Sequence, residues 1–340
     1  MKAIIPVAGA GTKLRPLTYT QPKALIPLAG KTILSVIVDG LLEAGVDEFV
    51  FVTGYLGEKI QRYVAKTYPS LKHTFVHQAD RRGTGHAIWC TRESVVGNEP
   101  VLIVLGDTVA DYNVREVLAS RHSLIGVRKV DDPRSFGVAE LAQTSDRVTR
   151  MIEKPLIPKS NMAMVGIYFI RETAAMFSAL ESHLQSRPGT DDDEGEYHLT
   201  AALQAMLETG IRFDAFRVAN WFDCGKKETL LATNATLLKQ QLEEGDAKED
   251  PASDKLEGAV IIPPVSIAEG CKISGSIIGP NVTIGENTRV ESSIIRDSII
   301  GSYAKLVEVV LQNSIIGSDA FVRGLSQSLN IGDNTEIDLG

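Results

Sequence analysis

Ala3-Ile4-Ile5-Pro6-Val7-Ala8-Gly9-Ala10-Gly11-Thr12-Lys13-Leu14-Arg15-Pro16-Leu17-Thr18 begins two residues into the chain, and Pro22-Lys23 follows shortly after it. The apolar run from Ala3 to Ala8 reads as a buried first strand, with two glycines at its carboxyl end. Glycines there let the backbone approach phosphate oxygens and turn amide groups toward them. Lys13, Arg15 and Lys23 add positive charge in the same short segment. The stretch therefore reads as a phosphate cradle. Two commoner cradles are excluded: Leu14 stands where a dinucleotide fingerprint has its third glycine, and no Gly-Lys-Ser/Thr ending of a P-loop occurs. A glycine turn after a strand is also ordinary α/β turn chemistry, but three cations and a Pro-Lys pair weigh toward the cradle.

Outward from this loop, short apolar runs alternate with amphipathic ones through about two-thirds of the sequence, the pattern of a sheet with crossover helices on its faces. Strands are expected at Ala3 to Val7, Phe49 to Thr53, His73 to His77 and Val101 to Leu105. Helices are expected at Ile33 to Ala44, ended by Gly45, at Gly57 to Thr67, and at Thr84 to Val95. Three such units in succession imply an α/β, Rossmann-like, mostly parallel sheet, and ligands gather at the carboxyl ends of such strands. Gly9, Gly54, Gln78 and Gly106 each follow an expected strand and so fall on one edge. Beyond Asp107 the rhythm is mixed, with strands at Leu124 to Val130, Val138 to Leu141, Val148 to Ile152 and Met164 to Ile170, and a helix near Leu199 to Leu207.

From Lys239 to Lys255 the composition turns charged and loses aromatic residues, which reads as a helix end and an exposed linker. The expected division is a first domain over 1–238, a linker over 239–255 and a second domain over 256–340. In the last segment Ile284-Gly285, Ile300-Gly301, Ile316-Gly317 and Ile331-Gly332 recur at steps of about sixteen residues. Ile267, Ile273, Ile278, Ile284, Val290, Ile295, Ile300, Leu306, Leu311, Ile316 and Val322 advance by five or six positions. Such a beat suits a triangular coil with one aliphatic residue per side pointing inward, and with Gly279, Asn281, Gly285 and Asn287 at corners. A β-sandwich of short strands is the alternative.

The chain of 340 residues, 44% of them hydrophobic, has material for more than one core. Lys plus Arg number 35 against 43 Asp plus Glu, a net −8 that argues against nucleic-acid and membrane-surface roles. Cys90, Cys224 and Cys271 are odd in number and far apart, so neither a disulfide framework nor a zinc cluster is indicated, and Cys90 and Cys224 read as packing residues in a reducing, cytoplasmic setting. No signal-peptide pattern opens the chain, and no apolar run reaches spanning length.

The segment Gly9-x-Gly11-Thr12-Lys13-Leu14-x-Pro16-Leu17-Thr18 with Pro22-Lys23 resembles the signature of sugar-1-phosphate nucleotidyltransferases. Gln78 with Gly83-Thr84-Gly85, Gly106-Asp107, Glu153-Lys154-Pro155, Gly195-Glu196-Tyr197 and Trp221-Phe222-Asp223-x-Gly225 follow in that family's order, so the resemblance covers nearly the whole chain. The repeat segment resembles the left-handed parallel β-helix that many relatives carry at the carboxyl end. Lys13 departs from the family, which usually has arginine there; lysine keeps the charge and loses the bidentate fork.

The reaction implied by the resemblance joins a sugar 1-phosphate to the α-phosphorus of a nucleoside triphosphate and releases pyrophosphate. It asks for alignment and charge neutralisation more than for covalent help. The resemblance assigns Asp107 and Asp223 to Mg²⁺, Lys23 to the triphosphate and sugar phosphate, and Lys13 to the β- and γ-phosphates. Ala8, Gly9, Ala10, Gly11 and Thr12 form the nucleotide loop; Gln78, whose amide both donates and accepts, faces the base with Gly83 and Thr84. Lys154 meets the sugar's phosphate, Glu153 accepts from sugar hydroxyls, and Gly137 and Gly166 leave room for a backbone amide to reach the ring. Taken singly, an Asp after a strand is a turn or cap residue, Glu153-Lys154 a surface pair and Gln78 an exposed strand end. His86 reads as a helix-start or packing residue, and the run Asp191 to Glu194 as solvated. The substrates expected are glucose 1-phosphate with UTP or dTTP. Mannose 1-phosphate with GTP and a non-catalytic scaffold subunit are the alternatives. An acyltransferase role for the repeat segment lacks its histidine base. A homo-oligomer is expected, because the flat faces and open end of a β-helix need covering.

Overall fold

The computed structural model describes residues 1–186, 196–245 and 256–324. The acidic run Asp191 to Glu194, Gly195, Ile331-Gly332 and the linker from 246 to 255 lie outside the described residues. The chain divides into two compact units, Met1–Thr233 and Asn234–Gly340.

The first unit runs β1 (Lys2–Pro6), a small hairpin of β2 (Pro27–Leu28) and β3 (Lys31–Thr32), α1 (Ile33–Glu43), β4 (Glu48–Thr53), α2 (Gly57–Thr67), β5 (Lys72–His77) and α3 (Thr84–Trp89). It continues through β6 (Val101–Val104), β7 (Thr108–Ala110), α4 (Val114–Leu118), β8 (Ser123–Lys129), β9 (Gly137–Leu141), β10 (Val148–Glu153), β11 (Met162–Ile170), α5 (Thr173–Ser186), α6 (Leu199–Glu208), β12 (Phe213–Arg217), β13 (Trp221–Asp223) and the first part of α7 (Lys227–Glu244), whose residues from Asn234 on belong to the second unit. Four parallel strands stand in the order β6-β1-β4-β5, and β11 joins antiparallel beside β6. The mixed half expected after Asp107 is β8 to β12 around β11, with β9 and β10 at the outer edge.

Because side chains alternate across a strand, Ile4, Val50, Val52, Val101 and Ile103 face one core, shared with Met176 and Leu180 of α5 and Leu199, Leu203 and Met206 of α6. Their neighbours Ala3, Ile5, Phe49 and Phe51 are as fully buried. The strands β1, β4 and β6 are thus covered on both faces, which is why their sequences are almost continuously apolar, whereas β5 at the edge, Lys72-His73-Thr74-Phe75-Val76-His77, is only partly buried. Gly45 ends α1 at φ 93°, where its amide donates to Leu42 O and that of Val46 to Leu41 O, a Schellman closure. The helix expected from Thr84 to Val95 stops at Trp89 and is followed by a short 3₁₀ turn, Arg92–Ser94. Thr91 sits at the break with its hydroxyl donating back to Ile88 O at 2.7 Å, a local bond that competes with continued helix. The sequence reading did not anticipate α5, β7, β12 or β13.

The second unit holds three parallel sheets stacked along one axis. One contains Leu256–Glu257, Lys272–Ser274, Arg289–Glu291, Lys305–Val307 and Phe321–Arg323. The others contain Val260–Ile261, Ile277–Ile278, Ile294–Arg296 and Val310–Gln312, and Val265–Ile267, Val282–Ile284, Ile299–Ile300 and Ile315–Ile316. This is the left-handed parallel β-helix, and parallel pairing throughout excludes the sandwich. Ile273, Ile278, Ile284, Val290, Ile295, Ile300 and Leu306 fill the axis, while Ile267, Leu311, Ile316 and Val322 pack against it less completely.

The coil length is not constant. Lys272 pairs with Arg289, seventeen residues on, and Arg289 with Lys305, sixteen on. The additional residue lies in the corner Gly279-Pro280-Asn281, where the next coil has only Arg296-Asp297. Corners are left-handed at Asn281, Asn287, Ser292, Asp297, Tyr303, Glu308, Asn313 and Asp319, with φ from 46° to 61°. Gly285 serves otherwise: a Cβ there would lie 2.6 Å from Ser302 N on the next coil. Asn234 of α7 is fully buried in this unit, donating to Asn281 O and accepting from the Thr283 hydroxyl at 2.7 Å.

Candidate active site

Strand order places a crevice at β1. The chain leaves β1 for β4 and β5 on one side, then returns to β6 on the other, so the loops after β1 and β6 diverge at a topological switch point. Those two loops carry the glycine turn and Gly106-Asp107.

In the first loop Ala8 is buried, Gly9 exposed, and nothing lies within 4 Å of a Cβ added at Gly9. Gly11 is left-handed at φ 62° and caps a 3₁₀ turn, Thr12–Leu14. A side chain there would stand 3.0 Å from Thr18 Cγ2 and 3.2 Å from Lys23 Cβ, so position 11 requires glycine for both its conformation and its space. The buried Thr18 hydroxyl fastens the loop by donating to Gly11 O at 2.8 Å. Among the described residues the amides of Gly9, Ala10 and Gly11 donate to no protein acceptor, leaving three donors available to an anion.

Asp107 lies across the crevice. Lys23 Nζ donates to Asp107 Oδ2 at 2.5 Å, joining the two loops. Gly106 permits the approach of the strand ends: its amide donates to Pro6 O at 3.1 Å, and a Cβ would fall 2.7 Å from that oxygen. Antiparallel β7 and β13 bring in Asp223, which pairs with Thr108, while Cys224 N donates to Asp107 O at 3.1 Å. Burial, then the neighbouring Asp107 charge, push the Asp223 carboxyl above its ordinary range; Lys23, Lys13 and the Gly225 amide pull the other way. All four charged residues expected at the centre therefore share one electrostatic neighbourhood. A pair of carboxylates whose mutual repulsion is felt, beside free backbone donors, fits a hard divalent cation such as Mg²⁺, which takes one or two carboxylates and completes its shell with phosphate oxygens and water.

Glu153 ends β10 and Lys154 follows it. Glu153 accepts from the Thr200 hydroxyl at 2.6 Å and lies 3.9 Å from His198 Nδ1. Lys154 is left-handed at φ 41°, and its amide donates to Phe136 O. The Phe136 ring meets Trp221 edge-on at 4.9 Å, which ties the Glu153-Lys154 turn to the strand that carries Asp223. Close packing by itself requires glycine at 137 and 166. Glu153 Oε2 and Thr200 Oγ1 would lie 3.0 and 3.3 Å from a Cβ at Gly137, and Leu105 and Thr108 fill the space beside Gly166.

Gln78 directly follows β5, but it is buried rather than exposed. Its amide nitrogen donates to Gly83 O at 3.1 Å and faces His86 Nδ1 at the same distance, so both its hydrogens are held inside the loop. His86 stacks on Trp89 at 6.1 Å, and burial and then Arg82 hold its imidazole below the usual value, in keeping with a packing residue. Gly83 and Gly85 press against the backbone of Tyr197, and Thr84 Oγ1 accepts from Leu199 N at 3.1 Å. Segment 196–200 thus braces the Gly83 loop at one end and Glu153 at the other. Thr200 and His198 escaped sequence reading; the Gly195-Glu196-Tyr197 motif immediately before them was the available signal.

Residues 2–240 match the nucleotidyl transferase family. The chain belongs to that family. It is 30% identical over 236 residues to a UTP–glucose-1-phosphate uridylyltransferase of Haloferax volcanii, covering 67% of this chain and 93% of the relative. It is 30% identical over 336 residues to a glucose-1-phosphate thymidylyltransferase of Streptomyces griseus, covering 96% and 89%. A solved UDP-glucose pyrophosphorylase bound to UDP-glucose superposes with a TM-score of 0.61 at 23% identity, over 70% of this chain and 98% of that one, which establishes the shared fold. No described helix is long and apolar enough to cross a membrane.

Proposed function

We propose that this nucleotidyltransferase joins glucose 1-phosphate to UTP or dTTP, releasing pyrophosphate and forming the nucleoside-diphosphate glucose. The observation that carries the reading is the Lys23–Asp107 bridge across the switch-point crevice, with Asp223 and the open amides of Gly9 to Gly11 beside it. The curated relatives, one a uridylyltransferase and one a thymidylyltransferase of glucose 1-phosphate, support the substrate class.

In this reading the amides of Gly9, Ala10 and Gly11, with Lys13, hold the triphosphate tail, where they stabilise the charge that collects on departing pyrophosphate. Lys23 stands between the phosphates of the two substrates and offsets the repulsion of two anions brought into line. The sugar phosphate is already an anionic nucleophile, so no proton acceptor is called for. Glu153, fixed by Thr200, accepts from sugar hydroxyls, and Lys154 meets the sugar's phosphate. Asp107 and Asp223 would hold Mg²⁺, which supplies further charge neutralisation at the reacting phosphate.

The test is incubation of the purified chain with Mg²⁺, each of UTP, dTTP, GTP, ATP and CTP, and a panel of sugar 1-phosphates, with pyrophosphate release as readout. UTP or dTTP with glucose 1-phosphate is expected to turn over fastest. Fastest release with GTP and mannose 1-phosphate would replace this assignment, and silence from every pair would favour a scaffold subunit.

A further inference from the structure

Lys23 occupies a place that a substrate-free transferase could have left open. Its side chain is only 16% exposed, and its ammonium sits 2.5 Å from Asp107 Oδ2. Asp223 is brought alongside by the pairing of β13 with β7, where it stands opposite Thr108 and Cys224 N donates to Asp107 O at 3.1 Å. The backbone holds Lys23 in place: it opens a 3₁₀ turn, Lys23–Leu25, and its Cβ closes against the position of Gly11. Two carboxylates and the two lysines Lys13 and Lys23 make a cluster that is neutral as it stands. A divalent ion entering alone must displace an ammonium already paired with Asp107 and then tolerate it at short range, where like charges repel strongly in a partly buried site. A polyphosphate reverses that balance, because its oxygens offer the displaced lysine a new anionic partner.

We propose that Lys23 is an internal counter-ion for the Asp107–Asp223 pair, released only when a divalent cation arrives together with a phosphate chain. The substrate-free enzyme then binds divalent cations weakly, and metal and triphosphate enter as one unit. The inference rests on the assignment of these two carboxylates to Mg²⁺.

The experiment measures Mn²⁺ binding to the full chain by electron paramagnetic resonance, without nucleotide, for wild type, Lys23→Met, Lys23→Gln and Lys13→Met. Either Lys23 variant is expected to bind Mn²⁺ at least tenfold more tightly than wild type, and Lys13→Met to change affinity by less than threefold. Thermal melting followed by circular dichroism decides which Lys23 variant is folded and used. Unchanged or weaker binding on removal of Lys23 overturns the proposal. So does an equal gain in Lys13→Met, which would indicate a diffuse field in place of a specific partner. Pyrophosphate release measured on wild type in parallel keeps the two readings separate. Turnover without tightening defeats the counter-ion role alone, and tightening without turnover from any substrate pair defeats the transferase reading alone.

Discussion

The two units use the same residue types to opposite ends. In the β-helix, glycine and asparagine let the chain close on itself: Gly285 admits the backbone of the next coil, and left-handed Asn281 and Asn287 turn the corners. In the transferase unit, Gly9 leaves space unfilled and Gly11 takes a left-handed turn, and three amides of the loop stay without a protein acceptor. Charge follows the same division. Arg289 and Glu291 pair on the exposed side of a coil, whereas Asp107, Asp223, Lys13 and Lys23 converge in a crevice at some cost to the folded state. Among the described residues, one unit uses glycine and asparagine to close its own coils, and the other leaves three backbone donors without a protein acceptor.

The sharpest way to break this contrast is to remove a group from the crevice. Asp107→Asn is expected to lower turnover about a thousandfold, seen as lost pyrophosphate release, while the melting of the β-helix stays where it was. A parallel loss of β-helix stability would show that the units are not energetically distinct. Next in size, Ile295→Ala in the fully buried coil axis should cost about 3 kcal/mol of stability. Denaturant titration measures it, and turnover at low denaturant should remain at the wild-type level.

A third change separates function from stability within the site. The folded Asp223 carboxyl titrates above its ordinary value of 3.8, so between that value and the folded one the folded chain keeps a proton that the unfolded chain has released. Stability therefore falls as pH rises from below 3.8 through the folded value, and the cost is fully present at neutral pH. Asp223→Asn should raise stability by about 1 kcal/mol at pH 7 in metal-free buffer, the gain vanishing toward acid pH, while turnover is lost. A variant less stable than wild type at pH 7 would contradict this assignment of strain. The smallest effect expected is that of Lys13→Arg, which restores the bidentate fork and should favour triphosphate binding by about 0.5 kcal/mol, read as a lower KM for the triphosphate with little change in kcat.

Particular elements show why the sequence was legible in some places and silent in others. The helix from Gly57 to Thr67 and the strands β1, β4, β5 and β6 were readable because burial on one or both faces imposes a local period. The coil beat was readable for the same reason, since each side of the triangle must present one aliphatic residue inward. The strands β7 and β13 were not, for they are three residues each and exist through their pairing, and that pairing is what sets Asp223 beside Asp107. Gln78 reads as an exposed strand end on local pattern alone, yet it is buried with Gly83 O and His86 as partners, a burial set by the fold of a loop.

The sequence by itself determined the residue types at the crevice, the succession of strands and helices, and the repeat. These are written locally, in glycine placement and hydrophobic period. Tertiary structure alone decided that β6 returns beside β1, that Lys23 meets Asp107 across 84 positions, that Thr200 holds Glu153, and that the early coils carry one more residue than the later ones. Contacts between residues so distant in the chain depend on strand order and close packing, which no local pattern records.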